Sequence, residues 1–243
     1  MIQTFKVLSL LLTYPSEEIK AGAGELRAAV EKEALLSKQQ MKFLFKLIAE
    51  LETRDLYDLQ ERYVLLFDRS RSLSLHMFEH VHGEGSERGQ AMLDLKAMYE
   101  DQGLDIAASE LPDYLPLFLE FLSTREMKEA RELLNQPLHI LAGLRKRLQK
   151  RGCVYASVFR ALEGIASGKP SASRLKDLLS VTEDDPDDFE QLDEAWEDEP
   201  VMFGPGAATH EDGCNPNRIA ARLRAAKRPA PGPNVSGPDG SGN

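Results

Sequence analysis

The sequence predicts an all-α fold: a single helical bundle domain of about nine helices over residues 1–180, then a disordered acidic tail over residues 181–243. Three observations carry this. Apolar residues recur at helical spacing through the body. No run of alternating apolar and polar residues rich in Val, Ile and Thr appears, so half-buried strands are not expected. Past Ser180 the composition changes, and 8 of the 13 prolines and 7 of the 17 glycines fall in residues 181–243.

The first element is Val7–Leu12 (VLSLLL). It is too short for a signal peptide's apolar core or a membrane span, so it predicts a first helix packed into the protein's own core. Met41, Leu44, Leu47, Ile48 and Leu51 form one apolar stripe; Leu56, Leu59, Tyr63, Leu66 and Phe67 form a second. Ser37 with Gln40, and Ser123 with Glu126, have capping-box spacing and predict two helix starts. Asp113 is placed to cap a helix carrying Pro116 in its first turn, where a missing N–H costs little. That helix is apolar almost all round through Leu122 and is expected at the centre of the fold. Pro137 separates a helix ending near Asn135 from one running to about Arg151. Val154, Val158, Ala161, Leu162 and Ile165 make a further stripe, and Ser173–Leu179 a short last helix.

Charge excludes one class of partner. Residues 1–180 carry 25 Lys and Arg against 26 Asp and Glu; residues 181–243 carry 5 against 14. A near-neutral body with an acidic tail does not displace counterions from a phosphate backbone, so no nucleic acid is expected. Cys153 and Cys214 lie in unlike contexts, which argues against a disulfide and for a reducing compartment. With no membrane insertion expected, the reading is a soluble cytoplasmic protein. The tail cannot bury enough apolar surface to offset chain entropy. Two apolar islands interrupt it, Phe189/Leu192/Trp196 and Val201-Met202-Phe203, either linker residues or a short docking motif.

Polar and aromatic side chains concentrate in Tyr63–Met92. As a helix, His76 and His80 are i, i+4 neighbours beside Glu79, which raises a metal-dependent helical enzyme as one reading. The pattern is not H-E-x-x-H, however. A helical wheel turns His82 to the apolar arc of Leu75, Phe78 and Val81, and no third ligand from a distant segment presents itself, so no metal or other cofactor is expected. Gly83-Glu84-Gly85 lacks the P-loop pattern and carries an acid where phosphate would sit. Cys153 lies on an apolar stripe and reads as a buried structural thiol. No base, orienting partner and charge stabiliser come together, so an enzyme is not expected. The residues read better as a groove. Tyr63, Leu66 and Phe67 make one wall; Leu75, Phe78 and Val81 a second; Tyr114 and Phe118 a third. Arg69, Arg71, Glu79, Glu84, Glu87, Arg88, Gln90 and Asp113 stand at the rim, as at a trough that captures an amphipathic helix, with His76, His80 and His82 expected to make release sensitive to pH near neutrality. An adaptor acting through the acidic tail is a further reading.

The stretches Ser72–Glu84 (SLSLHMFEHVHGE), Arg88–Met92 (RGQAM) and Glu110–Pro116 (ELPDYLP) resemble the nitrate reductase molybdenum cofactor assembly chaperones of the NarJ branch, within the TorD/DmsD-like group of redox-enzyme maturation chaperones. Glu110–Pro116 looks like this branch's form of an E-P-x-D-H motif. Leu111 intervenes and Tyr114 stands in the His position, so a role for that histidine does not carry over. Ala195–Val201 (AWEDEPV) also looks like this branch. The resemblance implies a non-enzymatic all-α cytoplasmic chaperone. Its implied partner is the apo catalytic subunit of a membrane-bound nitrate reductase, bound by its N-terminal peptide. The chaperone would hold that subunit competent for molybdenum cofactor and iron–sulfur cluster insertion and delay its membrane docking. It need bind no cofactor itself; molybdenum cofactor delivery proteins are the other partners implied.

Overall fold

A computed structural model of the chain describes residues 1–81, 86–104, 106 and 110–180. Expectations placed on His82, on Gly83–Gly85 and on the segment beyond Ser180 lie outside those residues. The described residues form eleven α-helices: α1 Gln3–Leu11, α2 Glu17–Ala21, α3 Ala23–Glu33, α4 Lys38–Thr53, α5 Leu56–Tyr63, α6 Ser86–Glu100, α7 Leu115–Ser123, α8 Met127–Asn135, α9 Leu138–Lys150, α10 Ala156–Ile165 and α11 Ala172–Ser180. The class is as predicted; the count of about nine is low. The short α2 buries no residue and parts from α3 at Gly22, so neither leaves a strong apolar stripe to read. The one β pairing among the described residues is an isolated antiparallel bridge, His76 to Tyr114.

The core is built around α7, which buries every residue from Leu115 to Ser123 except Glu120. Helix α1 packs along it. Phe5, Val7, Leu8 and Leu11 are buried there, the Ser9 hydroxyl donates to Pro116 O at 2.7 Å, and Lys6 pairs with Glu120. Burying four such side chains contributes roughly 6–12 kcal/mol gross. On the other side α9 packs against α10 and α11, and α10 against α4. Helix α4 starts in the expected capping box, with Ser37 accepting from the Gln40 amide and Gln40 returning to the Ser37 amide.

Three local expectations are corrected. Ser123 starts no helix: it ends α7, its hydroxyl donating to Glu120 O at 2.6 Å, and Glu126 is the N-cap of α8. Asp113 does not cap α7, whose N-cap is Tyr114; its carboxylate serves another element. Cys153 is not on a helix. It sits half-buried in the turn after α9, and burial raises its thiol pKa.

Candidate functional site

Helix α5 runs directly into a π-helical turn, Val64–Asp68, where the Arg69 amide reaches back to Val64 O at 3.0 Å. The wider turn carries one residue more than an α-helical rung and re-phases the stripe. Phe67 stays in the core beside Tyr63 and Tyr155, with ring centroids 5.0 and 5.1 Å away, and Leu66 is only partly covered.

The segment after it is not the amphipathic helix expected over Leu75–Val81. It is two 3-10 turns, Arg71–Leu73 and Met77–His80. His76 is extended, outside both, so His76 and His80 are not i, i+4 neighbours on one helix face. The cause lies in long-range polar bonds. The Leu115 amide donates to Leu75 O at 2.9 Å, and the Met77 amide to Asp113 O at 3.1 Å. The fully buried Asp113 carboxylate accepts the Phe78 amide at 3.0 Å and lies 3.3 Å from His76 Nδ1. Asp113 therefore caps the 3-10 turn across the fold instead of its own helix. The two motifs that stand out in the sequence, Ser72–Val81 and Glu110–Pro116, are thus one structural unit.

Its histidines have opposite electrostatics. The hydrogen bond to Asp113 raises the pKa of His76 against a smaller opposing effect of burial. Burial dominates at His80 and lowers its pKa, while its Nε2 donates to Ser74 O at 2.8 Å. His76 also lies over Tyr114, centroids 5.3 Å apart. The Tyr114 hydroxyl is 3.2 Å from that of Tyr63, which donates to Leu12 O at 2.9 Å.

The expected groove is divided. Tyr63 and Phe67 of the first wall and Leu75 of the second are at most 5% exposed and belong to the core, so these three line no trough. Arg69 lies apart on a cleft of about 500 Å³ with Tyr14, Tyr57, Val64 and Leu65. Glu79 pairs with Arg88 at 3.5 Å. Phe78, His80, Val81 and Phe118 do come together, in a cavity of about 700 Å³. The facing wall was not anticipated: Leu95 of α6, Leu133 of α8, His139 and Ile140 of α9, and Arg174, Asp177 and Leu178 of α11. Nothing in the sequence brings residues 133–140 and 174–178 to residues 77–81. One signal was available, Arg147, a cation on the buried side of α9. It donates to Ser72 O and to Leu178 O, both at 2.7 Å, and so joins the two walls. Within the facing wall α9 and α11 approach closely at Gly143, where a Cβ would stand 2.5 Å from Leu178 Cδ2.

Among the described residues no group of three or more His, Cys, Asp and Glu side chains is gathered to hold a metal ion. Nor is any helix among them long and apolar enough to cross a membrane. The geometry offers an open, mainly apolar cavity with a few polar groups at its edge.

The comparisons with known proteins agree on one family. The family model described as nitrate reductase delta subunit matches residues 16–161. The chain is similar to the nitrate reductase molybdenum cofactor assembly chaperone NarJ of Escherichia coli (strain K12), 38% identical over 218 residues, covering 90% of each chain. It is also similar to NarW of the same organism, described as a probable nitrate reductase molybdenum cofactor assembly chaperone. There the identity is 37% over 222 residues, 91% of this chain and 93% of that one. A relative from Bacillus subtilis (strain 168), a probable chaperone NarJ, is 35% identical over 162 residues, 65% of this chain and 85% of its own. The chain belongs to the nitrate reductase delta subunit family, as a NarJ-type member.

Proposed function

We propose that this chain is an assembly chaperone of a membrane-bound respiratory nitrate reductase, working in the cytoplasm and catalysing no reaction itself. Its relatives carry the name of nitrate reductase molybdenum cofactor assembly chaperones, which supports the role. Its client is the apo catalytic subunit, captured by that subunit's N-terminal peptide. The chaperone holds the client competent for molybdenum cofactor and iron–sulfur cluster insertion, in contact with cofactor delivery proteins, until membrane docking.

The observation that carries the site is the cavity of about 700 Å³ between Phe78, Phe118 and the α8–α9 junction. An amphipathic peptide helix burying on the order of 400 Å² of apolar surface there gains roughly 10 kcal/mol gross. Ordering the peptide and losing its translation offset several kcal/mol, which leaves a complex that can dissociate. His76, Glu79 and His80, beside Phe78, then orient the peptide's polar face.

Calorimetric titration of the client's N-terminal peptide tests this. Phe78→Ala and Leu95→Ala should each weaken binding about tenfold, as expected for truncating an anchor in an apolar pocket. Arg69→Ala, on the separate cleft, should leave it unchanged. Full affinity in both cavity variants would sink this assignment. An adaptor acting through the acidic segment predicts instead that deleting residues 181–243 abolishes capture.

A further inference from the structure

Residues 138–180 carry nine basic and two acidic groups, whereas residues 181–196 carry eight acidic and none basic. The basic stretch includes an open hollow. Lys146 of α9 and Lys176 of α11 flank a hollow of about 490 Å³ whose apolar lining is Ala172, Leu175 and Leu179. Leu179 is 37% exposed, and both lysines are exposed. Among the described residues neither lysine has an ion-pair partner. Ser180, the last residue of α11, itself lines the hollow.

The chain just beyond Ser180 is complementary to that surface in charge and apolar spacing. Phe189, Leu192 and Trp196 recur at i, i+3, i+7, the spacing of one helix face, with Glu190, Asp193 and Glu194 between them and Asp187 and Asp188 just before. We propose that residues 181–196 fold back on the α9–α11 surface, Phe189 entering the hollow and the carboxylates facing Lys146 and Lys176. The eight residues between Ser180 and Phe189 can span about 25 Å, ample for a site that begins at Ser180. The attraction of the segment's carboxylates for Lys146 and Lys176 acts at low ionic strength and is screened at high salt. Docking also steadies α11, which supplies Arg174, Asp177 and Leu178 to the main cavity. The inference stands apart from the client reading, since no client residue enters it.

Trp196 is the sole tryptophan and reports on the segment directly. In the full chain at low salt, Trp196 should be shielded from acrylamide. Its quenching constant should rise about twofold in about 1 M salt, where the Debye length is about 3 Å. The double variant Lys146→Glu/Lys176→Glu should show the high-salt value already at low salt. A control of equal charge change on exposed sites elsewhere, Lys32→Glu/Lys128→Glu, should keep the shielding. Equal quenching in all four conditions overturns the proposal. So does loss of shielding in the control, which would mean a nonspecific field. Shielding that grows with protein concentration would assign the surface to a second copy and overturn it as well.

Discussion

The cavity has two walls of opposite construction. One, residues 70–81, is irregular backbone whose conformation is fixed by a handful of polar bonds, chiefly those to Asp113 and from Arg147. The other, the α8–α9 side, is regular helix held by side-chain packing, with Leu138, Ile140, Leu141 and Leu144 buried along α9. Packing energy is spread over many contacts and yields gradually to substitution. A polar clamp concentrates it in a few atoms whose loss leaves buried groups unsatisfied. The cavity therefore has a tolerant half and a brittle half, and the brittle half contains much of the Ser72–Glu84 motif that carries the family resemblance.

The contrast can be tested at its strongest point first. Asp113→Ala leaves the Phe78 amide without its acceptor and removes the partner of His76, so unfolding in urea should show a loss of about 3 kcal/mol. Arg147→Met should cost about 2 kcal/mol by stripping two carbonyls of a charged donor, and amide exchange should quicken in α11 and around Ser72 together. On the helical wall, Ile140→Val should cost only about 1 kcal/mol and leave exchange in residues 70–81 as it was. A larger loss there than at Asp113 would break the comparison.

The smallest effect is the pH dependence of the clamp. His76 has a raised pKa, so its stabilising contribution is complete below the unfolded value near 6.5 and fades as pH rises through the folded one. His80 has a lowered pKa and is held neutral, so its contribution is present above about 6.5 and is lost as pH falls through its folded value. Urea unfolding of His76→Gln and His80→Gln at pH 5.5 and 8 should therefore diverge in opposite directions from the parent.

The sequence is legible at most places where structure is decided locally, the Ser123/Glu126 spacing being the exception. Ser37 and Gln40 make their capping box within one turn, Pro137 separates α8 from α9, and the run Leu115–Leu122, apolar but for Glu120, has nowhere to go but the centre. The other failures share a different cause. A wheel drawn over Leu75–Val81 assumes that each amide is satisfied four residues back, but Met77 and Phe78 are satisfied by Asp113. Asp113 resembles the cap of the helix two residues later for the same reason: capping chemistry is visible in a sequence, its addressee is not. Tyr63 and Phe67 are as apolar as groove residues need to be, and periodicity alone cannot separate them from core. Phe78 and Phe118 are legible because they sit in or beside the motifs, while Leu133 and Ile140 lie in plain helices that only the tertiary fold turns towards them.

The π-turn at Val64–Asp68 gives the chain a place where its length can change cheaply. The turn holds one residue beyond what a regular helix needs between Tyr63 and Arg69. Removing one of Val64, Leu65 or Leu66 should let it close into ordinary helix, with Tyr63 still bonded to Leu12 and Phe67 still against Tyr155. The same deletion inside α5 would swing everything after it by about 100° and pull both aromatics off their seats. Insertions and deletions in this protein thus have a preferred address, and what they edit is the outer cleft of Arg69, leaving the buried scaffold of the cavity as it is.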